Sequence, residues 1–196
     1  MKIYILRHED RTQDCSFFAP LTKKGIENSN LLVKILKTCN INKIYCSPFI
    51  RTLQTVDPFN REVGMKINIE YGLEEINHED IIPKKAAGIH LPEYLAEIFN
   101  YNPEYKSFIQ PEQIVYPEKT CHLEKRIKRF LRQLITEHTD MSDSSNILLV
   151  THQGACTTIL KVIAKSLNKD IDSEKYDKGK LSLIYDNNNW VYTPLN

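Results

Sequence analysis

Two short apolar runs constrain the fold of this chain more than any other feature. Residues 2–7 read Lys-Ile-Tyr-Ile-Leu-Arg, and residues 146–150 read Asn-Ile-Leu-Leu-Val. Short apolar runs that do not alternate with polar residues are typical of strands buried on both faces of a sheet. Helices have to cover both faces of such a sheet, so the pattern predicts an α/β fold.

Helical and strand patterns alternate along most of the 196 residues. This alternation predicts a three-layer sandwich with a mostly parallel, mixed sheet flanked by helices. Thr22 is a suitable N-cap for the first helix, and Ser47-Pro48 has the composition of a second helix start. The predicted helices run from Thr22, from Ser47 to about 62, and over 92–101, 118–138 and 154–167. The predicted strands occupy residues 2–7, 42–46, 66–70 and 146–150, followed by a hairpin of strands 180–186 and 189–193.

The pattern weakens between about residues 71 and 117. Prolines interrupt this stretch at Pro83, Pro92, Pro103, Pro111 and Pro117. We interpret it as a cap-like insertion over the C-terminal ends of the strands. The length of the chain suits one domain, so the prediction is a single domain over residues 1–196 that contains this insertion.

Charge and cysteine content exclude several functional classes. The chain has 26 Lys+Arg against 25 Asp+Glu, a formal net charge of +1. Proteins that bind nucleic acid or anionic membranes usually carry a stronger positive bias, so neither partner is predicted. No apolar run approaches the roughly 18 residues that a membrane span needs. The five cysteines form no CxxC pair, and Arg7 interrupts any signal-peptide-like start, which together predict a cytoplasmic protein with reduced thiols.

Polar and charged residues follow four of the predicted strands. These segments are Leu6–Arg11, Ser47–Thr55, Gly72–Glu75 and Val150–Gly154. Sites in α/β sheets lie at the carboxyl ends of the strands, so we expect the four segments to meet. Each segment alone has an ordinary explanation, such as a surface pair, a helix start, a solvated loop or a core histidine. Together they would bring two histidines, up to three arginines and a carboxyl group into one pocket.

This set of side chains suits phosphoryl transfer. A neutral imidazole is a competent nucleophile, guanidinium groups bind phosphoryl oxygens, and a carboxylic acid can protonate the leaving oxygen. Arginine charge can stabilise the transition state, so no metal site is predicted. A cysteine phosphatase needs five residues between its Cys and Arg, whereas only four separate Cys46 from Arg51.

The order and spacing of these motifs resemble the histidine phosphatase superfamily, which has the phosphoglycerate mutase-like fold. Arg7-His8 resembles its Arg-His-Gly motif, and residues 20–25 resemble its Pro-Leu-Thr-x-x-Gly helix start. Residues 47–55 are similar to its Ser-Pro-x-x-Arg-x-x-Gln-Thr signature. Leu73-Glu74-Glu75 resembles its Leu-x-Glu motif, and Val150-Thr151-His152 resembles its second histidine motif.

The resemblance implies a role for each matched residue. His8 would be the phosphorylated nucleophile, Arg7 and Arg51 would bind phosphate, and His152 would serve both catalysis and phosphate binding. Glu75 would be the proton donor, with Glu74 as the alternative acid. No cofactor and no metal ion are implied.

A finer likeness concerns one branch of this superfamily. Arg11 stands three residues after His8, and residues 69–75 are similar to a Glu-Pro-Gly-Leu-x-Glu form of the acid motif. Both features resemble the branch of the suppressor-of-T-cell-receptor-signalling phosphatases and the ecdysteroid-phosphate phosphatases. That branch would make Arg11 a third phosphate ligand; otherwise Arg11 is a solvent-facing loop residue.

The function implied is metal-independent hydrolysis of phosphomonoesters through a phosphohistidine on His8. The substrate would be a phosphorylated small molecule or a phosphoprotein, and a homodimer is left open. One alternative is a catalytically weak phosphate-binding or phosphoprotein-binding module. The other is a phosphoglycerate-type mutase, although residues 76–79 lack the longer run that follows the acid position in mutases.

Glu9 replaces the glycine that follows the nucleophile in the family motif. Its charge would oppose a phosphate dianion unless the side chain points away or pairs with an arginine. We expect an arginine pair that leaves the activity intact.

Helix 118–138 also carries many cations. We interpret them as a solvated helix face, with a docking surface for an acidic partner as the alternative. They are Lys119, Lys125, Arg126, Lys128, Arg129 and Arg132.

Overall fold

The two apolar runs form the central strands of a six-stranded sheet. The computed structural model describes residues 1–14, 16–80, 82, 84, 90–138, 144–171 and 176–196. Its strands are β1 (Lys2–Arg7), β2 (Lys43–Cys46), β3 (Ile67–Ile69), β4 (Asn146–Thr151), β5 (Leu181–Asp186) and β6 (Asn189–Pro194).

Strand directions confirm the predicted mixed sheet. The order is β3-β2-β4-β1-β5-β6, in which the first four strands are parallel and the last two are antiparallel. Asn187 and Asn188 join β5 to β6 with φ angles of 48° and 63°. A tight hairpin turn requires this left-handed backbone, which asparagine tolerates well.

Helices cover both faces of the sheet, which confirms the three-layer arrangement. The helices are α1 (Lys23–Thr38), α2 (Ile50–Val63), α3 (Glu93–Ile98), α4 (Thr120–Glu137) and α5 (Gln153–Leu167). Alternate residues of β1 point to opposite faces: Ile3 and Ile5 pack with α4 and α5, whereas Tyr4 and Leu6 pack with α1 and α2.

The starts of the first two helices differ in how well the sequence predicts them. The Thr22 side chain accepts the N–H of Gly25, which confirms the predicted N-cap. The predicted start at Ser47-Pro48 is wrong, because α2 begins at Ile50 after Phe49. The Ser47 hydroxyl contacts a buried histidine ring instead of capping the helix.

A buried carboxylate ties the segment between β3 and α4 to the edge of the sheet. Glu70 accepts hydrogen bonds from the Gly72 N–H, the Tyr105 hydroxyl and the Phe108 N–H. The described part of this segment contains α3 and the 3₁₀ turns Tyr71–Leu73 and Pro111–Gln113. Residues 81, 83 and 85–89, among them the predicted breaker Pro83, lie outside the described part.

Within the described ranges, no helix is long and apolar enough to cross a membrane. Cys39, Cys46, Cys121 and Cys156 are free thiols, and Cys15 lies outside the described residues.

Candidate active site

The C-terminal ends of β1, β2 and β4 bring charged and polar side chains to one edge of the sheet. His8 directly follows β1, His152 follows β4 as the N-cap of α5, and Arg51 lies in the first turn of α2. The ring centroids of His8 and His152 are 5.2 Å apart. Parallel strands thus place residues from distant parts of the sequence around one pocket.

A hydrogen bond of His8 determines which of its ring nitrogens can react. His8 Nδ1 lies 2.7 Å from the carbonyl oxygen of Glu9. A carbonyl only accepts, so Nδ1 carries the proton and the lone pair of the neutral ring is on Nε2. His8 is 3% exposed, and burial followed by the charge of Arg51 lowers its pKa to about 3. At neutral pH His8 is therefore uncharged, with a nucleophilic Nε2.

His152 is fully buried against the same pocket. Its Nε2 lies 2.8 Å from the Ser47 hydroxyl oxygen, and its ring centroid lies 4.8 Å from that of Phe49. Its Nδ1 is buried and has no hydrogen-bond partner among the described residues. Burial, then the charge of Arg51, lowers the pKa of His152 well below its usual value. A buried ring nitrogen without a partner suits contact with an oxygen of a bound ligand.

Arg51 and Arg7 supply positive charge beside the two histidines. Arg51 is 2% exposed; its guanidinium carbon lies 4.5 Å from the centroid of the Phe49 ring, and its Nη1 donates to the Ser16 carbonyl at 2.9 Å. Arg7 Nη1 donates to the Tyr176 carbonyl at 2.6 Å. Both charges lower the pKa of His8, Arg51 more than Arg7. Guanidinium groups in this position favour a phosphate dianion.

Arg11 lies at the border of the pocket. Its Nη1 donates to the carbonyl oxygens of Thr12 and Asp14, at 2.6 and 2.8 Å. Its charge still contributes to the lowered pKa of His8. Arg11 is thus bonded to its own loop while its charge acts on His8, and its role as a phosphate ligand stays a prediction.

Two neighbouring carboxylates follow the turn after β3, and they face different surroundings. Glu75 Oε2 accepts the Gly154 N–H at 3.4 Å, and the Glu75 charge acts on Arg7. A Cβ at Gly154 would overlap Glu75 Oε1, so a glycine there leaves room for the carboxylate. The Glu74 carboxylate is buried with the Asn77 amide at 3.0 Å, and burial raises its pKa to about 7. Glu75, and not Glu74, faces the histidine pocket.

The expected pairing of Glu9 with an arginine is wrong. Glu9 Oε2 accepts hydrogen bonds from the Asn28 amide at 3.1 Å and the Asp10 N–H at 3.3 Å. Its Oε1 lies against Gly179, where an added Cβ would overlap it. Glu9 fits at this position because its side chain packs between α1 and the turn before β5.

The site also uses residues that the sequence patterns did not assign to it. Ser47 matches the family signature, and its position before Pro48 predicts a helix cap. In the structure its hydroxyl contacts the His152 ring instead. Phe49 occupies a variable position of the same signature and packs between Arg51 and His152. The carbonyl of Tyr176, 169 residues from Arg7, has no sequence signal at all.

The predicted solvated face of α4 is wrong for one of its cations. Lys125, Lys128 and Arg129 are exposed, whereas Arg126 is only 7% exposed. Arg126 forms a buried ion pair with Glu118 at 2.7 Å. Arg126 stands three residues after the buried Leu123, which places it beside the apolar stripe of the helix. This spacing is the sequence signal that indicates burial of Arg126.

The described residues include no group of three or more His, Cys, Asp or Glu side chains placed to hold a metal ion. What the pocket offers is a neutral imidazole ring, guanidinium groups and a carboxyl group.

Two curated relatives of this chain are much longer than the chain itself. Human ubiquitin-associated and SH3 domain-containing protein B is 28% identical over 167 residues, which cover 78% of this chain and 24% of the human protein. The mouse protein of the same name is 27% identical over 167 residues, which cover 25% of its length. The chain thus spans about a quarter of the length of these curated relatives.

Solved structures share the fold over the whole chain. Ecdysone phosphate phosphatase from Bombix mori, in complex with tungstate, has a TM-score of 0.73 and 15% identity, covering 100% of this chain and 92% of that chain. Phosphoglycerate mutase from Bacillus anthracis has a TM-score of 0.69 and 19% identity, again covering 100% and 92%. This likeness confirms the phosphoglycerate mutase-like fold.

The sequence match to a family is equally extensive. Residues 6–196 match the histidine phosphatase superfamily (branch 1). The human relative and the Bombix mori structure agree with the predicted likeness to the suppressor-of-T-cell-receptor-signalling and ecdysteroid-phosphate phosphatase branch. The chain therefore belongs to the histidine phosphatase superfamily.

Proposed function

We propose that this chain hydrolyses phosphate monoesters through a phosphohistidine formed on His8, without a metal ion. The state of His8 carries the proposal. Its ring is neutral, the Glu9 carbonyl holds the Nδ1 proton, and the Nε2 lone pair is available to attack phosphorus. Membership in a superfamily of histidine phosphatases supports the same chemistry.

In the first step, His8 Nε2 bonds to phosphorus while the bond from phosphorus to the ester oxygen breaks. Arg7, Arg51 and His152 bind the phosphoryl oxygens, and the charge of Arg11 adds to their field. Protonated Glu75 gives its proton to the leaving oxygen, which departs as an alcohol. The Nδ1–H bond to the backbone carbonyl stabilises the positive charge on the phosphorylated ring.

In the second step, the Glu75 carboxylate takes a proton from water, and the water oxygen attacks phosphorus. The bond from phosphorus to His8 Nε2 breaks, inorganic phosphate leaves, and the ring returns to its neutral form. Glu75 is again protonated, so the cycle closes with one water consumed.

The residues assigned to the pocket would bind the phosphate, and none of these assignments specifies the group that carries it. A phosphorylated small molecule or a phosphoprotein is the proposed substrate. The binding-module alternative is favoured by a Glu9 charge that weakens catalysis by opposing the phosphate. The Glu9 carboxylate accepts hydrogen bonds from the Asn28 amide and the Asp10 N–H instead, which argues against that alternative. The mutase alternative predicts phosphate transfer to a second hydroxyl instead of release to water.

Phosphate release from p-nitrophenyl phosphate in the presence of EDTA tests the proposal. We expect turnover by the wild type with equal amounts of phosphate and nitrophenol, and its loss in His8→Ala. The control is His122→Ala, because the His122 ring lies outside the pocket and accepts the Lys119 N–H at the start of α4. Loss of wild-type activity with EDTA, or full activity of His8→Ala, would contradict the proposal. Transfer of phosphate to an added phosphoglycerate without release would favour the mutase.

A further inference from the structure

Arg126 uses every hydrogen-bond donor that its side chain has. Nε and Nη2 donate to the two carboxylate oxygens of Glu118, at 2.9 and 2.7 Å. Nη1 donates to the carbonyl oxygens of Gly72 and Glu74, at 2.9 and 3.0 Å, and Nη2 also donates to that of Glu75 at 3.3 Å. A guanidinium has five N–H donors, and all five are engaged.

These contacts fix the backbone of the loop that carries the proposed acid. The remaining carbonyl of the stretch 72–75, that of Leu73, accepts the Thr151 hydroxyl at 2.5 Å. Glu118 also accepts the Asn77 N–H at 3.1 Å. The backbone on both sides of the Glu75 side chain is thus bonded to the buried ion pair or to the end of β4.

Arg126 makes its hydrogen bonds to Glu118 and to the carbonyls of this loop, and its charge also contributes to the lowered pKa of His152. Arg126→Lys keeps that charge, so its effect on catalysis reports the hydrogen bonds to the loop. The Glu75 carboxylate is oriented in turn by the Gly154 N–H and its neighbour Ile76 N–H. Proton transfer requires the donor within hydrogen-bond distance of the leaving oxygen, and small displacements of a positioned group cost rate. A lysine has a single nitrogen and cannot reproduce the planar fork that spans three carbonyls and a carboxylate.

We propose that Arg126, paired with Glu118, is a positioning residue for the general acid Glu75. It holds the carbonyl groups of residues 72–75 so that the Glu75 carboxyl group meets the leaving oxygen. The proposal rests on the proposed phosphatase activity and deepens it.

The test compares two aryl esters of similar shape whose leaving groups differ. Phenolate needs protonation to leave far more than p-nitrophenolate does, and kcat/KM reports the steps up to formation of the phosphohistidine. For Arg126→Lys we expect kcat/KM on phenyl phosphate to fall at least about tenfold and that on p-nitrophenyl phosphate less than about threefold. The control Arg129→Lys changes an exposed arginine on the same helix and is expected to change neither value.

A double-mutant cycle distinguishes positioning from general damage to the fold. If Arg126 acts through Glu75, Arg126→Lys should add no further loss on phenyl phosphate in a Glu75→Gln background. Equal losses on both substrates, or a full additional loss in that background, would overturn the proposal.

A second variant covers the case in which a buried lysine prevents folding. Arg126→Gln combined with Glu118→Gln removes both charges, so that neither is left buried without its partner. We expect the same difference between substrates and a cooperative thermal transition; a folded double variant with wild-type rates on both esters would overturn the positioning role. If the wild type hydrolyses neither ester, the proposed phosphatase function itself is contradicted.

Discussion

The two sides of the active site are built in different ways. The phosphate side consists of Arg7, His8, Arg51 and His152, which stand at the ends of β1 and β4 or just after β2. The acid side is the loop 72–77 that carries Glu75. It follows β3, a three-residue strand at the edge of the sheet, and its backbone is held by side chains from α4 and β4.

This difference separates two sources of rigidity. The groups proposed to bind the phosphate are positioned by central strands that are buried on both faces. The proposed proton donor, Glu75, lies in a loop that is bonded to the ion pair between Glu118 and Arg126 of α4. Damage to the phosphate side should therefore affect every substrate alike, whereas damage to the acid side should depend on the leaving group.

The largest expected effect is on the phosphate side. Arg51→Ala removes a guanidinium that we propose to stabilise the phosphoryl oxygens, and we expect kcat/KM to fall about 100- to 1,000-fold. The loss should be the same for phenyl and p-nitrophenyl phosphate, measured by initial rates. Arg61→Ala, an exposed arginine on the same helix, is the control. A tenfold difference between the losses of kcat/KM on the two esters would show that the phosphate side also depends on the leaving group.

The next effect concerns the acid side. Glu75→Gln keeps the shape of the side chain but removes the proton, so kcat/KM on phenyl phosphate should fall about 100-fold, with a much smaller loss on p-nitrophenyl phosphate. Glu74→Gln serves as the matched variant, because the Glu74 carboxylate is bonded to Asn77 away from the pocket. If Glu74→Gln, and not Glu75→Gln, discriminated between the esters, the assignment of the acid would be reversed.

Burial of His8 predicts a pH dependence of stability. A histidine in the unfolded chain has a pKa near 6.5, whereas the pKa of His8 in the folded protein is lowered to about 3. Between these values the unfolded chain binds more protons, so the free energy of unfolding should fall as pH decreases, by about 1.4 kcal/mol per pH unit for this residue.

Urea unfolding at pH 7 and pH 5 measures this effect. Asn at position 8 keeps an N–H donor for the Glu9 carbonyl and does not titrate. We expect the difference in stability between the two pH values to shrink by roughly 2 kcal/mol in His8→Asn and to stay unchanged in the control His122→Asn. An unchanged difference in His8→Asn would mean that the ring is not held neutral by its surroundings.

The smallest effect concerns Glu9, which borders the phosphate side without belonging to it. Gly179→Ala should be destabilising both through its φ of 68° and through overlap with Glu9 Oε1. Gly64→Ala, at φ 66° with no atom within 4 Å, isolates the backbone strain alone. In a Glu9→Gly background the extra cost of Gly179→Ala should disappear, a coupling of about 1 kcal/mol in thermal or urea unfolding.

The same variant tests whether Glu9 opposes the bound phosphate. Because the Glu9 carboxylate is bonded to Asn28 and Asp10, we expect Glu9→Gly to change kcat/KM less than about tenfold. A larger gain would show that the charge of Glu9 acts on the phosphate, and additive stability effects would show that Glu9 does not contact Gly179.

Sequence patterns predicted the elements that depend on local signals. The apolar runs placed β1 and β4, the Thr22 cap placed α1, and the strand ends placed Arg7, His8 and His152 at one edge of the sheet. The sequence predicts these features because burial of a strand on both faces and helix capping each depend on a few consecutive residues.

The features that the sequence did not predict depend on contacts between distant residues. The Ser47 hydroxyl could cap a helix or contact a histidine, and only the position of His152 decides between them. From the sequence alone, Glu9 could pair with an arginine. In the fold, its carboxylate contacts the Asn28 amide of α1 and lies against Gly179. From the sequence alone, Arg126 resembles the surface cations of its helix. Its burial depends on Glu118 and on the carbonyls of the loop that carries Glu75.

During synthesis, β1 leaves the ribosome before both of the strands with which it pairs. β4 begins at residue 146 and β5 at residue 181, and the backbone of Arg7 bonds to Gly179 and Lys180. A strand with no sheet neighbours is not stable on its own, and such non-local pairing forms late in folding. A nascent chain therefore carries His8 in an unformed pocket until β5 has emerged, and the proposed phosphatase activity is expected to begin only after that point.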